Sequence, residues 1–229
     1  FLKGLPEKKL EKLANNLPLT SGAENLVRIL KHLGYKIALV SGGFDYFIEK
    51  LCSRYGLDYG VANQLKIENG VVTGELQGEI IDAQGKENAL ASLAEREGFS
   101  LRQVVAVGDG ANDIKMLARA GLGIAFNAKP IVQRQVQASI NTHDLKLILY
   151  FLGINRDDLQ ELNELVGKSV TQSWPKKEKQ QKKGHRKLQS VGHRGRTHSN
   201  ETELLTIQAT GLHRPGGRPL GCRRCGLSR

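Results

Sequence analysis

Between Ala106 and Gly121 the chain reads "AVGDGANDIKMLARAG". The run Gln103 to Val107 predicts a strand covered on both faces, and Asp113 to Ala120 continues at helical spacing. Two aspartates four residues apart therefore stand where a strand becomes a helix. The helix alone accounts for Asp113, because a carboxylate there accepts orphan backbone N–H groups and suits the positive end of the dipole. It does not account for Asp109. That residue lies between Gly108 and Gly110, which let the backbone turn sharply. Its carboxylate is expected at the carboxyl edge of the strand, where open α/β sheets hold ligands.

Outward from this turn, strand and helix patterns alternate from Ser21 to Tyr150. Ser21 reads as the N-cap of "GAENLVRILKHL", with Leu26, Ile29, Leu30 and Leu33 on one face and Gly34 just past the end. "KIALVS" (Lys36 to Ser41) is a near-continuous apolar run, and "FDYFIEKLCSRY" returns to helical spacing. Val61 to Glu79 has strand composition around Asn69-Gly70, a strong hairpin signal. Helices are expected at Glu7 to Asn15, Lys86 to Glu97 and Asp144 to Leu152, and a strand at Gly123 to Phe126. Strands separated by helices predict an α/β fold with a mostly parallel sheet and right-handed crossovers.

Charge divides the chain. Of 34 Lys+Arg and 23 Asp+Glu, the first 166 residues hold 19 and 20, leaving 15 and 3 for the remainder, so the basic balance belongs to the C-terminal stretch. That stretch ("WPKKEKQQKKGHRKLQSVGHRGRTHSN") has no sustained apolar period, and residues 167–229 are expected to be a mostly disordered basic tail. Such charge would suffice for salt-dependent nucleic-acid binding, although Trp174 is the lone large aromatic there for stacking. Cys222 and Cys225 form one C-x-x-C with His213 nearby, whereas a structural zinc site takes four ligands. Cys52 reads as a small core residue rather than a nucleophile. No membrane span or secretory signal is legible, and a cytoplasmic location is expected.

Two further stretches carry chemistry. In "VSGGFDYF" a strand ends at Ser41 and a helix begins near Phe44; a hydroxyl and backbone N–H groups at such a junction suit an anion, so Ser41 and Gly42 are candidate phosphate ligands. In "DAQGKENAL", Lys86 follows a glycine at the start of a helix, where a cation opposes the dipole unless it answers a bound anion.

"VSGGF", "DAQGK" and "GDGANDIKMLARAGLGIAFNAKP" resemble the second, third and fourth motifs of the haloacid-dehalogenase-type phosphatases, over about Phe1 to Leu152. The resemblance implies a three-layer Rossmann-like α/β fold and a Mg2+-dependent phosphomonoesterase. It points within the family to enzymes acting on O-phospho-L-serine in the last step of serine biosynthesis. It implies that Ser41 and the Gly42 N–H hold phosphate oxygens, that Lys86 is a catalytic cation, that Asn112 contacts substrate, and that Asp109 and Asp113 serve the metal. The family also requires an Asp-x-Asp-x-Thr motif on a first, central strand, with nucleophile and acid/base aspartates. No Asp-x-Asp occurs in this chain; its adjacent aspartates, Asp157 and Asp158, lie in a helix-like segment. The resemblance therefore implies that this motif lies upstream of Phe1, that the sheet lacks its first central strand, and that the chain alone is poorly stable and inactive. Residues 1–19 are then the C-terminal part of a helical cap, 20–155 an incomplete core, and 156–166 a terminal helix. The alternative is a nucleic-acid-binding protein using its tail on a degenerate α/β scaffold.

Overall fold

Helices form where the apolar spacing demands them. The computed structural model describes residues 2–169. Helix α1 (Glu7–Asn15) buries Leu10 and Ala14, and α2 (Ala23–His32) buries Leu26, Val27, Ile29 and Leu30. Gly22, not Ser21, occupies the N-cap of α2, with φ +80° and no capping side chain. The Asp144 carboxylate and the Lys146 backbone stand where a Gly22 Cβ would be, so close approach of a distant loop displaces the local cap.

Strand β1 (Ala38–Phe44) leads into α3 (Asp45–Tyr55). Strands β2 (Tyr59–Glu68) and β3 (Val71–Gln77) form the expected antiparallel hairpin, with Asn69 at φ +51° and Gly70 at φ +74°, the double positive φ of the favoured two-residue turn. Helix α4 (Ala83–Arg96) starts three residues before Lys86. The Asp82 carboxylate accepts from the N–H groups of Gln84 and Gly85, both at 2.9 Å, and caps it.

Strand β4 (Val105–Gly108), helix α5 (Ile114–Arg119) and strand β5 (Leu122–Phe126) follow. A 3-10 turn, Ala111–Asp113, precedes α5 and takes in Asp113, where the spacing starts the helix. The short helix α6 (Pro130–Gln133) and strand β6 (Ala138–Ile140) carry too few residues for either period to be read. The Asp144 to Leu152 helix divides into a 3-10 turn, Leu145–Leu147, and α7 (Ile148–Phe151), and α8 (Arg156–Ser169) follows.

The strands make two three-stranded sheets, β1-β2-β3 and β4-β5-β6, parallel except between β2 and β3. Among the described residues β1 pairs only with β2, and β4 only with β5. Side chains alternate faces along β4 and β5. Val105, Val107, Ile124 and Phe126 join the core under α2, α7 and α8, whereas Ala106 and Ala125 join that under α4 and α5. This is the three-layer arrangement. Helix α4 bridges the sheets: Leu93 shares a cluster with Ala38 and Val40 of β1, and Leu90 and Ala94 share one with Ala106 of β4. No described helix is long and apolar enough to cross a membrane.

Because Leu90 is fully buried between α4 and the second sheet, Leu90→Ala is expected to cost about 2–5 kcal/mol. Ile131→Ala, at a side chain 55% exposed, should stay within about 0.5 kcal/mol. Urea denaturation followed by circular dichroism compares the two.

Candidate active site

The turn after β4 is built around one carboxylate. Asp113 Oδ2 accepts from the backbone N–H groups of Asp109, at 3.1 Å, and Gly110, at 3.0 Å. Its Oδ1 accepts from Lys86 Nζ at 2.9 Å. Gly108 makes room for this arrangement, since a Cβ there would stand 2.6 Å from Asp113 Cβ and 2.7 Å from Oδ2. The helix-terminal role expected of Asp113 is met in a different form: its carboxylate reaches back to the turn that carries Asp109.

Lys86 and Asp113 are 3% and 5% exposed, and a lysine this buried requires a partner. Only one of its three ammonium protons is directed at Asp113 Oδ1. Lys115 Nζ donates to Gln84 Oε1 at 2.9 Å and ties α5 to the first turn of α4. Asp109 and Gly110 are half-buried at the strand end, and Asn112 is exposed on the same turn.

The second half of the site lies on β1. The ladder with β2 is interrupted after Val40: the next pair is Phe44 with Asn63, so β1 advances four residues while β2 advances two. Ser41, Gly42 and Gly43 occupy this bulge. Ser41 is fully buried, and its Oγ accepts from the Gly43 N–H at 2.9 Å, which leaves the hydroxyl proton for another acceptor. Asp45 Oδ1 accepts from the N–H groups of Tyr46 and Leu65 and holds the start of α3 against β2.

Asn63, absent from the sequence-based candidates, joins the two halves. It is buried, donates from Nδ2 to the Gly42 carbonyl at 2.5 Å, and accepts at Oδ1 from the Ile81 N–H at 2.7 Å. Ile81 immediately precedes Asp82, the cap of the helix carrying Lys86. A polar amide within an otherwise strand-like run was its only local signal.

Thus Asp113 meets both Lys86 and the Asp109 backbone, while Gly42 reaches the segment leading into the same helix through Asn63. Among the described residues no three His, Cys, Asp or Glu side chains cluster as a metal site. The oxygen donors Asp109 and Asp113 nonetheless suit Mg2+, which takes one or two carboxylates and fills the rest with waters and phosphate oxygens. Cys52 is only partly buried, lying against Gly60. Burial, aided by the charges of Glu49 and Asp58, pushes its thiol up to about 11, so it is protonated at neutral pH. Asp158 accepts from the Asn155 N–H at the start of α8, and Asn155 in turn accepts from the N–H groups of Asp157 and Asp158, a structural role. Trp174, His213, Cys222 and Cys225 lie outside the described residues.

Residues 1–118 match the family model of the haloacid dehalogenase-like hydrolases. The phosphoserine phosphatase of Archaeoglobus fulgidus is 52% identical over 145 residues, which are 63% of this chain and 42% of that protein. That of Methanocaldococcus jannaschii is 44% identical over 152 residues, 66% of this chain and 72% of that protein. A solved structure of a phospho-aspartyl intermediate analogue of phosphoserine phosphatase superimposes with a TM-score of 0.62 at 45% identity, covering 66% of this chain and 72% of the other. The chain thus spans less than half the length of the Archaeoglobus relative. These similarities lend no support to the nucleic-acid alternative.

Removing Lys86 strands the buried Asp113 charge, and Lys86→Met is expected to cost about 3–5 kcal/mol in urea unfolding. With Cys52 protonated, iodoacetamide labelling of its peptide, read by mass spectrometry, should be slow at pH 7 and accelerate as pH rises toward 11.

Proposed function

We propose, from the premise that this chain belongs to the haloacid dehalogenase-like hydrolases, that its site binds and orients the phosphate of O-phospho-L-serine for Mg2+-dependent hydrolysis to serine and phosphate. The buried Lys86–Asp113 pair at the Asp109 turn carries this reading. A surface lysine would spend little to stay solvated, whereas this one is desolvated, held by a single carboxylate oxygen, and retains two protons for a further anion.

Each residue then has a definite task. The Ser41 hydroxyl and the Gly42 N–H donate to phosphate oxygens, and the Lys86 ammonium balances their charge. In phosphoryl transfer, charge is spread over three equatorial oxygens, so prepositioned donors stabilise it without reorganising. Asp113 holds the Asp109 and Gly110 amides, which sets the direction of the Asp109 carboxylate and brings Asn112 to the substrate side. Asp109, supported by Asp113, would hold Mg2+, which supplies neutralisation of the phosphoryl oxygens when bound. The residues assigned are those that bind and orient phosphate; the chain contains no Asp-x-Asp, and none of its aspartates is assigned the attack on phosphorus.

Isothermal titration of O-phospho-L-serine in the presence of Mg2+ tests this reading. Lys86→Ala should weaken binding about ten- to hundred-fold, as loss of a charged hydrogen bond does, and Ser41→Ala about two- to ten-fold. Absence of binding by the wild-type chain, or equal affinity in the two variants and the wild type, would remove the assignment.

A further inference from the structure

We infer that Asn63 is a positioning residue that sets the Ser41–Gly42 phosphate loop relative to the helix carrying Lys86, an inference that rests on the phosphate-binding reading above. The need for such a residue comes from the bulge. Between Val40 and Phe44 the β1–β2 ladder skips, so the backbone groups of Ser41, Gly42 and Gly43 cannot all find partners across the strand pair. Gly42 is half-buried, and a carbonyl shielded from water without a donor is costly. The Asn63 amide supplies the donor to Gly42 at 2.5 Å.

Its other end is engaged just as specifically. Oδ1 takes the Ile81 N–H at 2.7 Å, one residue before the Asp82 carboxylate that closes the first turn of α4. Only this orientation of the amide gives a donor to the carbonyl and an acceptor to the N–H. A chain of contacts thus runs from the Gly42 carbonyl through Asn63 to Ile81, along the capped turn to Lys86, and from Lys86 to Asp113 and the Asp109 turn. Asn63 bonds to the Gly42 carbonyl and to the Ile81 N–H, not to the Ser41 hydroxyl, the Gly42 N–H or the Lys86 ammonium. It acts by holding the peptide plane between Gly42 and Gly43, whose N–H donates to Ser41 Oγ and so orients that hydroxyl. Aspartate keeps the acceptor for Ile81 but sets a carboxylate oxygen against the Gly42 carbonyl, so Asn63→Asp breaks one arm and spares the other.

The test is a double-mutant cycle on the 229-residue chain, with inorganic phosphate and Mg2+ as the probe and affinity read by calorimetry. Asn63→Asp should raise the phosphate Kd about five- to ten-fold, and this loss should largely vanish in a Ser41→Ala background, because both changes act on one loop. Asn63→Ser, too short to span both partners, should behave alike and serves if Asn63→Asp does not fold. An unchanged Kd in the single variants overturns the positioning role alone. So does an equal loss with and without Ser41→Ala, which is the signature of a general structural defect. Failure of the wild-type chain to bind phosphate overturns the phosphate-site reading, and the role of Asn63 with it.

Discussion

A single carboxylate organises the carboxyl edge of the second sheet. Asp113 is shielded from water, so each of its hydrogen bonds operates in a low-dielectric setting where a missing partner is costly. One oxygen faces Lys86 and the other takes two backbone amides. Two pieces of chain distant in sequence therefore share one stable arrangement: the turn from β4 to α5, and the first turn of α4. Gly108 is the steric condition for it, and Lys86 is the electrostatic one. A buried ion pair is seldom a source of net stability compared with well-packed apolar groups. Its presence here fits the proposed phosphate site, in which the ammonium faces a second anion.

The two sheets have different relations to this centre. The second is packed on both faces, and its strands read as nearly continuous apolar runs because neither face meets water. The first contributes β1, whose bulge takes Ser41 through Gly43 out of the ladder, and β2, which carries Asn63. Helix α4 is the element common to both, and its apolar residues and its lysine serve the two sheets at once. Asn63 adds a polar link parallel to that apolar one. Packing alone places α4 to within the slack of a hydrophobic contact, whereas a bidentate amide restricts direction as well as distance.

Local patterns made much of this legible. Helical spacing located α1, α2 and α3, Asn69-Gly70 located the hairpin, and the glycines around Asp109 marked the turn. Lys86 stood out because its place near a helix start runs against the dipole. The two misplaced boundaries have different causes, one distant in the chain and one local. Ser21 does not cap α2 because Asp144 and Lys146 crowd Gly22. By contrast, α4 begins at Ala83 for a local reason: Asp82 turns its carboxylate onto Gln84 and Gly85, a cap easily passed over beside a more conspicuous lysine.

What the sequence determined by itself is the alternation of strands and helices, the apolar faces, and the residue types present at each strand end, since these depend on neighbours within a few positions. Tertiary structure alone decided that Asp113, at the N-terminus of α5, also faces Lys86, that Lys86 is buried against it, and that Asn63 connects the loop after Val40 with the segment before α4. Those facts depend on pairs 18 to 27 residues apart, and hydrogen bonds over such separations leave no periodic trace in the chain. They exist because burial withdraws water from polar groups, and each group must then find its partner wherever the fold has brought one.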